Sequence, residues 1–328
     1  MASVDTTTII EFDLENQSHQ KLSLDEYAID LQDTNKILWI HCDLNDQHAF
    51  QKIAEKIHLA DDVVNLFMQK DPTPRLVEFD DAVTVQLPCL ITHEIDMHHL
   101  EETFSYLMIH LSDRYCITAS TQSIPAITQF NNNFTKALKY AKTPCFILFL
   151  VMDNVVDDFA KTLFNFETIT DQFDLRIRHS HENIYSEVMD VKNHTMKIRR
   201  FIIATKEILM RLSGRKMSVI SSSCRASLSN LLNETHMISN EADSIRDILN
   251  NLLDQIDNVL MQKMNETMRV LTAFASIILP LTLITGIYGM NFHWIPELEW
   301  KYGYFAVLIL LVVVGGILFY IFKKKKWF

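Results

Sequence analysis

Two stretches near the C-terminus, 270–288 and 304–322, each run about 19 residues without a charge, and neither keeps the polar face of a helix buried in a soluble core. A helix needs roughly 20 apolar residues to cross about 30 Å of hydrocarbon, so the pattern predicts two membrane spans. Upstream, from about 228 to 269, apolar and polar positions alternate at helical spacing with neither proline nor glycine. This predicts one helix that continues straight into the first span. It would hold roughly 60 residues and reach about 90 Å, too long for one globular core, which suggests a packed stalk. Earlier in the chain the period changes. Runs at 37–40, 82–87 and 106–109 read as strands, while 145–178 and 183–211 read as helices. Strands early and long helices late predict an α/β layer with helices packed beneath it.

Within the long helix the polar positions are ordered. Steps of seven from Asp254 reach Met261, Met268, Ala275, Thr282 and Gly289; steps of seven from Asn258 reach Asn265, Thr272, Leu279 and Gly286. A seam with this spacing, small or polar or moderately apolar and never basic, suits either tight helix packing or the wall of a cation path. Pro280 lies mid-span and frees the carbonyl one turn earlier, at Ser276; a modest kink is expected, with Thr282 and Thr285 near enough to help satisfy freed groups.

Composition narrows the function classes. The 328 residues are 48% hydrophobic and 22% charged, with a formal net charge of −11, as in a folded chain. Of six glycines, five (Gly286, Gly289, Gly303, Gly315 and Gly316) lie in the membrane segment. No glycine cluster is left to cradle a nucleotide phosphate, so ATP-driven transport by this chain alone is not expected. The five cysteines, Cys42, Cys89, Cys116, Cys145 and Cys224, are widely spaced and form no C-x-x-C pair, and are expected to be reduced core thiols. His93, Glu94, Asp96, His98 and His99 can be read as a transition-metal cluster, but solvated hairpin charges are the simpler reading. No catalytic constellation, resident cofactor or nucleic-acid partner is expected.

Charge also orients the spans. Lys323, Lys324, Lys325 and Lys326 follow the second span, whereas the link between spans holds Glu297, Glu299 and a single Lys301. The positive-inside bias puts the tail in the cytoplasm, and an even number of spans puts the N-terminal part there too. The N-terminal residues show neither the basic segment nor the apolar run of a secretory signal, which agrees. The expected organisation is a cytoplasmic α/β domain with a helical layer over 1–227, a stalk helix continuing into the first span over 228–291, an external loop over 292–302, the second span over 303–322 and a basic tail over 323–328. Two helices enclose no aqueous path, so any pore requires several copies, most simply in a ring.

The run Tyr288-Gly289-Met290-Asn291-Phe292, then Pro296-Glu297-Leu298, a second apolar span and the basic tail, resembles the CorA family of magnesium transporters. The resemblance is close from about residue 252 onward and looser around 74–80. It implies a funnel-shaped homopentamer in the inner (plasma) membrane, with the first span lining a pore and Gly289, Met290 and Asn291 as the selectivity filter. Carried onto this chain, the pore residues are Asn291, Gly286, Thr282, Leu279, Leu271, Met268 and Asn265, with Glu297 and Glu299 at the external mouth. The ion implied is Mg²⁺, with Co²⁺ or Ni²⁺ as further cargo, entering passively. The alternative within the superfamily is a zinc or proton-coupled transporter of the ZntB type. The family closes its gate with Mg²⁺ between subunits: Asp254 matches one acidic ligand, but Leu66 stands near the position of its partner, leaving Asp61, Asp62 or Asn65 to complete the site.

Overall fold

The computed structural model describes residues 7–16, 18–22, 35–69, 71–92, 103–137, 143–180, 184–290, 300–325 and 327. It divides into two compact units, Met1–Leu252 and Leu253–Phe328. The first is built on a seven-stranded sheet: β1 (Thr8–Asp13), β2 (Ser18–Leu22), β3 (Lys36–Asp43), β4 (Arg75–Glu78), β5 (Ala82–Leu90), β6 (Phe104–Ser112) and β7 (Tyr115–Ser120), in the order β2-β1-β3-β7-β6-β5-β4. Among the described strands only β3 and β7 run parallel, with Ile40 opposite Ile117. Pro88 is tolerated inside β5 because β4 pairs only with Val83 to Gln86, so the missing N–H falls where β5 has no β4 partner.

Alternation along β3 assigns its two faces. Leu38, Ile40 and Cys42 pack with Phe50 and Ile53 of α1 (Gln47–Lys56) and with Val63 and Phe67 of α2 (Asp61–Met68). α1 starts where Asp46 accepts a hydrogen bond from the Ala49 backbone N–H at 3.0 Å. On the other face Trp39 meets Phe130 of α3 (Pro125–Ala137) edge-on, centroids 4.7 Å apart. The Trp39 indole donates to Thr118 Oγ1 at 3.0 Å, and His41 Nδ1 lies 3.0 Å from the same oxygen, which ties the parallel pair together through side chains. Burial pushes His41 down to about 4, so this imidazole is neutral at pH 7.

α4 (Cys145–Ser180) packs along β5, β6 and β7, and α5 (Tyr185–Gly214) lies beside α4, where Arg176 holds Glu187 through two hydrogen bonds of 2.6 and 3.0 Å. α6 (Ser222–Tyr288) is a continuous helix of 67 residues that begins six residues before the 228 expected from spacing. Within the first unit its buried positions include Leu228, Leu231, Thr235, Ile238, Ala242, Ile245, Leu249 and Leu252. Steps of three and four make this one sealed stripe, and Arg199 of α5 clamps Asp243 beside it at 2.6 Å.

The expectation of five reduced thiols is corrected here. Cys145 and Cys224, at the starts of α4 and α6, form a disulfide across 79 residues of sequence, with Cα atoms 6.3 Å apart. No local spacing announces such a pair, because the two helix starts meet only in the fold. Cys42, Cys89 and Cys116 are buried free thiols, as expected, and burial pushes Cys42 up to about 12.

α4 and α6 also bring like charges together. Burial, and then Asp157 and Glu234, push the half-buried Asp153 up to about 6; burial and Glu167 raise Glu241. An acid raised by folding binds its proton more tightly in the folded chain than in the unfolded one. Its ionisation therefore costs stability above pH 6, and the cost is relieved as pH falls toward 3.8. Asp153→Asn is expected to raise the melting temperature of the detergent-solubilised protein at neutral pH by about 2–4 °C, the shift given by ~1 kcal/mol after allowance for solvent screening. The gap from wild type should close on acidification; equal melting temperatures at neutral pH would count against the like-charge cost.

Candidate functional site

In the second unit α6 packs against α7 (Gly303–Lys324), and these two are long and apolar enough to cross a membrane among the described residues. Over the apolar span, 270–288, the positions of α6 that lose exposure are Ala273, Ser276, Ile277, Pro280, Leu281 and Ile284. On α7 they are Gly303, Ala306, Val307, Leu311, Val314, Gly315, Leu318 and Phe322, again at helical spacing. Ala273 and Ser276 on α6 and Gly303, Ala306 and Gly315 on α7 are small residues, which let helix backbones approach where the lipid supplies no hydrophobic drive. A Cβ added to Gly315 would sit 3.6 Å from Leu281 Cδ1.

The residues expected to line a pore fall elsewhere on α6. Asn265, Met268, Leu271, Leu279, Thr282 and Gly286 are all exposed, Leu271 at 62% and Leu279 at 67%. At about 100° per residue they centre on the face roughly opposite the one that α7 covers. Of the two roles this spacing allows, tight packing within the hairpin is therefore taken by other positions. Apart from the backbone of its own helical turn, no described atom lies within 4 Å of a Cβ built on Gly286. Thr282 Oγ1 donates to the Ile278 carbonyl at 2.9 Å, and Thr285 Oγ1 to the carbonyls of Leu281 and Thr282 at 3.1 and 3.0 Å. Neither hydroxyl bonds Ser276, contrary to expectation, because each reaches back only three or four residues from its own position. One consequence is chemical. With its single proton engaged in the helix, Thr282 presents only oxygen lone pairs to the exposed side.

α6 ends at the motif. Gly289 N–H still reaches Thr285 O at 2.9 Å, and Met290 N–H tightens to Ile287 O at 3.3 Å. A Cβ on Gly289 would meet Thr285 O at 3.2 Å, so a larger residue is disfavoured there although its φ is not positive. Asn291, Glu297 and Glu299 lie outside the described residues, as do His93, Glu94, Asp96, His98 and His99.

Asp254 is exposed on α6, and Asp61 and Asp62 are exposed in the first turn of α2, where negative charge suits the helix N-terminus. No group of three or more His, Cys, Asp or Glu residues able to hold a metal occurs among the described residues. Leu66 packs partly buried against the α1–α2 core, so its side chain serves structure at that position. The half of the hairpin that sequence reasoning did not resolve is α7: when nearly every residue is apolar, no contrast marks the face that touches α6.

The model of a family described as "CorA-like Mg²⁺ transporter protein" matches residues 34–324. The "Cobalt/magnesium transport protein CorA" of Thermotoga maritima is 27% identical over 97% of this chain and 91% of its own length. The "Zinc transport protein ZntB" of Pectobacterium carotovorum is 20% identical over 91% of this chain and 90% of its own. The solved structure of the CorA magnesium transporter from Methanocaldococcus jannaschii superposes with a TM-score of 0.83 at 20% identity, covering 98% of each chain. That likeness extends over the α/β part, the long helix and both apolar C-terminal helices.

The two adjacent glycines of α7 separate packing from lipid exposure. Gly315 faces Leu281, whereas Gly316 has no atom within 4 Å of a built Cβ. Gly315→Leu is expected to lower the melting temperature in detergent by about 5 °C, the scale of a ~1–2 kcal/mol overpacking cost. Gly316→Leu should leave it unchanged, and equal effects would contradict the assigned face.

Proposed function

Because the chain belongs to the family of CorA-like Mg²⁺ transporters, we propose that it assembles as a homopentameric channel through which Mg²⁺ enters the cell passively, driven by the membrane potential. Co²⁺ and Ni²⁺ are further candidate cargo, and both termini face the cytoplasm. The observation that carries this reading is the face of α6 that α7 leaves exposed from Ala273 onward, which holds Leu279, Thr282 and Gly286 and ends at Gly289-Met290. Within the span this stripe leaves the lone pairs of Thr282 and the bare backbone at Gly286 uncovered, a surface poorly suited to hydrocarbon. In a ring of five hairpins it turns inward, and α7 faces the lipid.

The stripe alternates two kinds of surface. Met268, Leu271 and Leu279 form hydrophobic constrictions able to close by dewetting, while Asn265, Thr282 and Asn291 present oxygens between and above them. Mg²⁺ gives up its water reluctantly, so rings of neutral oxygens that accept hydrogen bonds from a hydrated ion suit it better than a dehydrating cage. Thr282, with its proton donated to Ile278 O, is such an acceptor. Gly289, Met290 and Asn291 form the selectivity filter at the outer end, and Glu297 and Glu299 concentrate cations at the mouth. A doubly charged ion moving into an inside-negative cell gains about 4.6 kcal/mol per 100 mV, so no nucleotide is needed. Regulation by bound Mg²⁺ would use Asp254 with Asp61 or Asp62 of a neighbouring copy.

A second reading, proton-coupled zinc transport, is favoured by the full-length similarity to the ZntB relative. Uptake into proteoliposomes decides between the two. Mg²⁺ flux is expected to follow an imposed inside-negative potential and to persist when the proton gradient is collapsed at fixed potential; flux that stops with the proton gradient supports the second reading. Asn291→Ala is expected to lower Mg²⁺ uptake at least about tenfold, as removal of ~1.4 kcal/mol of barrier stabilisation does. Undiminished uptake in that variant would remove Asn291 from the filter.

A further inference from the structure

The end of the hairpin nearest Gly289 contains a cavity of about 440 Å³ between α6 and α7. Its floor is apolar, made by Val307, Leu308 and Leu311, and its rim is set by Tyr288, Trp300, Lys301 and Tyr304. Floor and rim differ in chemistry. Lys301 is the single charged side chain in the lining, and among the described residues no ion pair or hydrogen bond engages its ammonium, the Trp300 indole N–H or the Tyr288 and Tyr304 hydroxyls. Trp300 and Tyr304 are exposed at 58% and 72%, at the level where the apolar span gives way to the polar link.

These features fix the class of ligand. A pocket of a few hundred Å³ with an apolar floor and a few convergent polar groups is the form of a small-molecule site. At a membrane boundary, aromatic side chains with polar tips sit at headgroup level, and a lysine extends its ammonium toward the headgroups while its stem stays on apolar surface. A free anion would satisfy the rim and leave the floor in water; a neutral hydrocarbon would fill the floor and leave Lys301 without a partner. A molecule that does both has an apolar chain and a negative charge at one end.

We infer that this cavity binds an anionic glycerophospholipid, with an acyl chain along Leu308 and Leu311 and the phosphodiester at Lys301. The donors of Trp300, Tyr288 and Tyr304 surround the same headgroup. Gly289 forms part of the wall, so the bound lipid touches the end of α6 directly. The inference needs only the hairpin in a bilayer, and holds or fails independently of which ion the protein carries.

The test uses full-length protein in nanodiscs of phosphatidylcholine with or without phosphatidylglycerol, followed by gentle delipidation and native mass spectrometry. Wild type is expected to retain phosphatidylglycerol in preference to phosphatidylcholine. Lys301→Gln, which leaves the floor intact, should reduce that retention about fivefold, the weight of one interfacial lysine. Leu308→Trp, which fills the floor and keeps the charge, should abolish it, and inorganic phosphate should not compete. Equal retention of both lipids, retention unchanged in both variants, or displacement by inorganic phosphate would each overturn the inference. So would Leu308→Trp altering subunit association while lipid retention stays unchanged, since a second copy of the chain would then fill the cavity.

Discussion

A helix in hydrocarbon must have every polar surface covered by protein or water, and α6 meets this on only one face. Its Ala273–Ile284 side is occupied by α7, with Gly315 brought against Leu281. The other side keeps Asn265, Thr282 and Gly286 uncovered within the single chain. The proposed oligomer and aqueous path are built on that imbalance. A hairpin with a uniformly apolar outer surface would call for none of them, whereas this one leaves the outward lone pairs of Thr282 and the bare backbone at Gly286 uncovered, which the proposed ring of copies would shelter.

The first unit handles the same long helix differently. There α6 is sealed along Leu228 to Leu252 by steps of three and four, anchored at its start by Cys145–Cys224 and at its side by Arg199–Asp243. Against these attachments stands the clustering of Asp153, Asp157 and Glu234. In the sheet, Trp39 and His41 link the parallel β3–β7 pair to Thr118 through one buried and one part-buried hydrogen bond. The same two helices, α4 and α6, therefore carry both a covalent tie and an electrostatic cost.

What the sequence revealed depended on contrast. The spans were legible because charges vanish over about 19 residues on each, and the exposed stripe because polar and small residues recur every seven positions in an apolar background. β2 escaped notice because Ser18–Leu22 is an exposed edge strand with no alternating apolar face, and α7's contact face because it has too little polarity to mark a side. The Cys145–Cys224 pair and the acidic contact of α4 with α6 depend on where distant helices meet, which no local pattern encodes. Pro280 was legible as a break in hydrogen bonding, but the nearby threonines serve Ile278, Leu281 and Thr282 rather than Ser276. The filter's Asn291 remains a reading from the motif alone, and Asp254 stands without a described cluster of metal ligands around it.

The central claim is that one face of α6 meets water while the opposite face meets α7. Single cysteines at Thr282 and Gly286, compared with Ile277 and Ile284, test it most directly through reaction with a membrane-impermeant thiol reagent in the reconstituted protein. The native cysteines are buried, free or paired, and give a low background. The account predicts rapid labelling at 282 and 286 and little at 277 and 284. Equal labelling on both faces, or labelling at 277 and 284 alone, would contradict it.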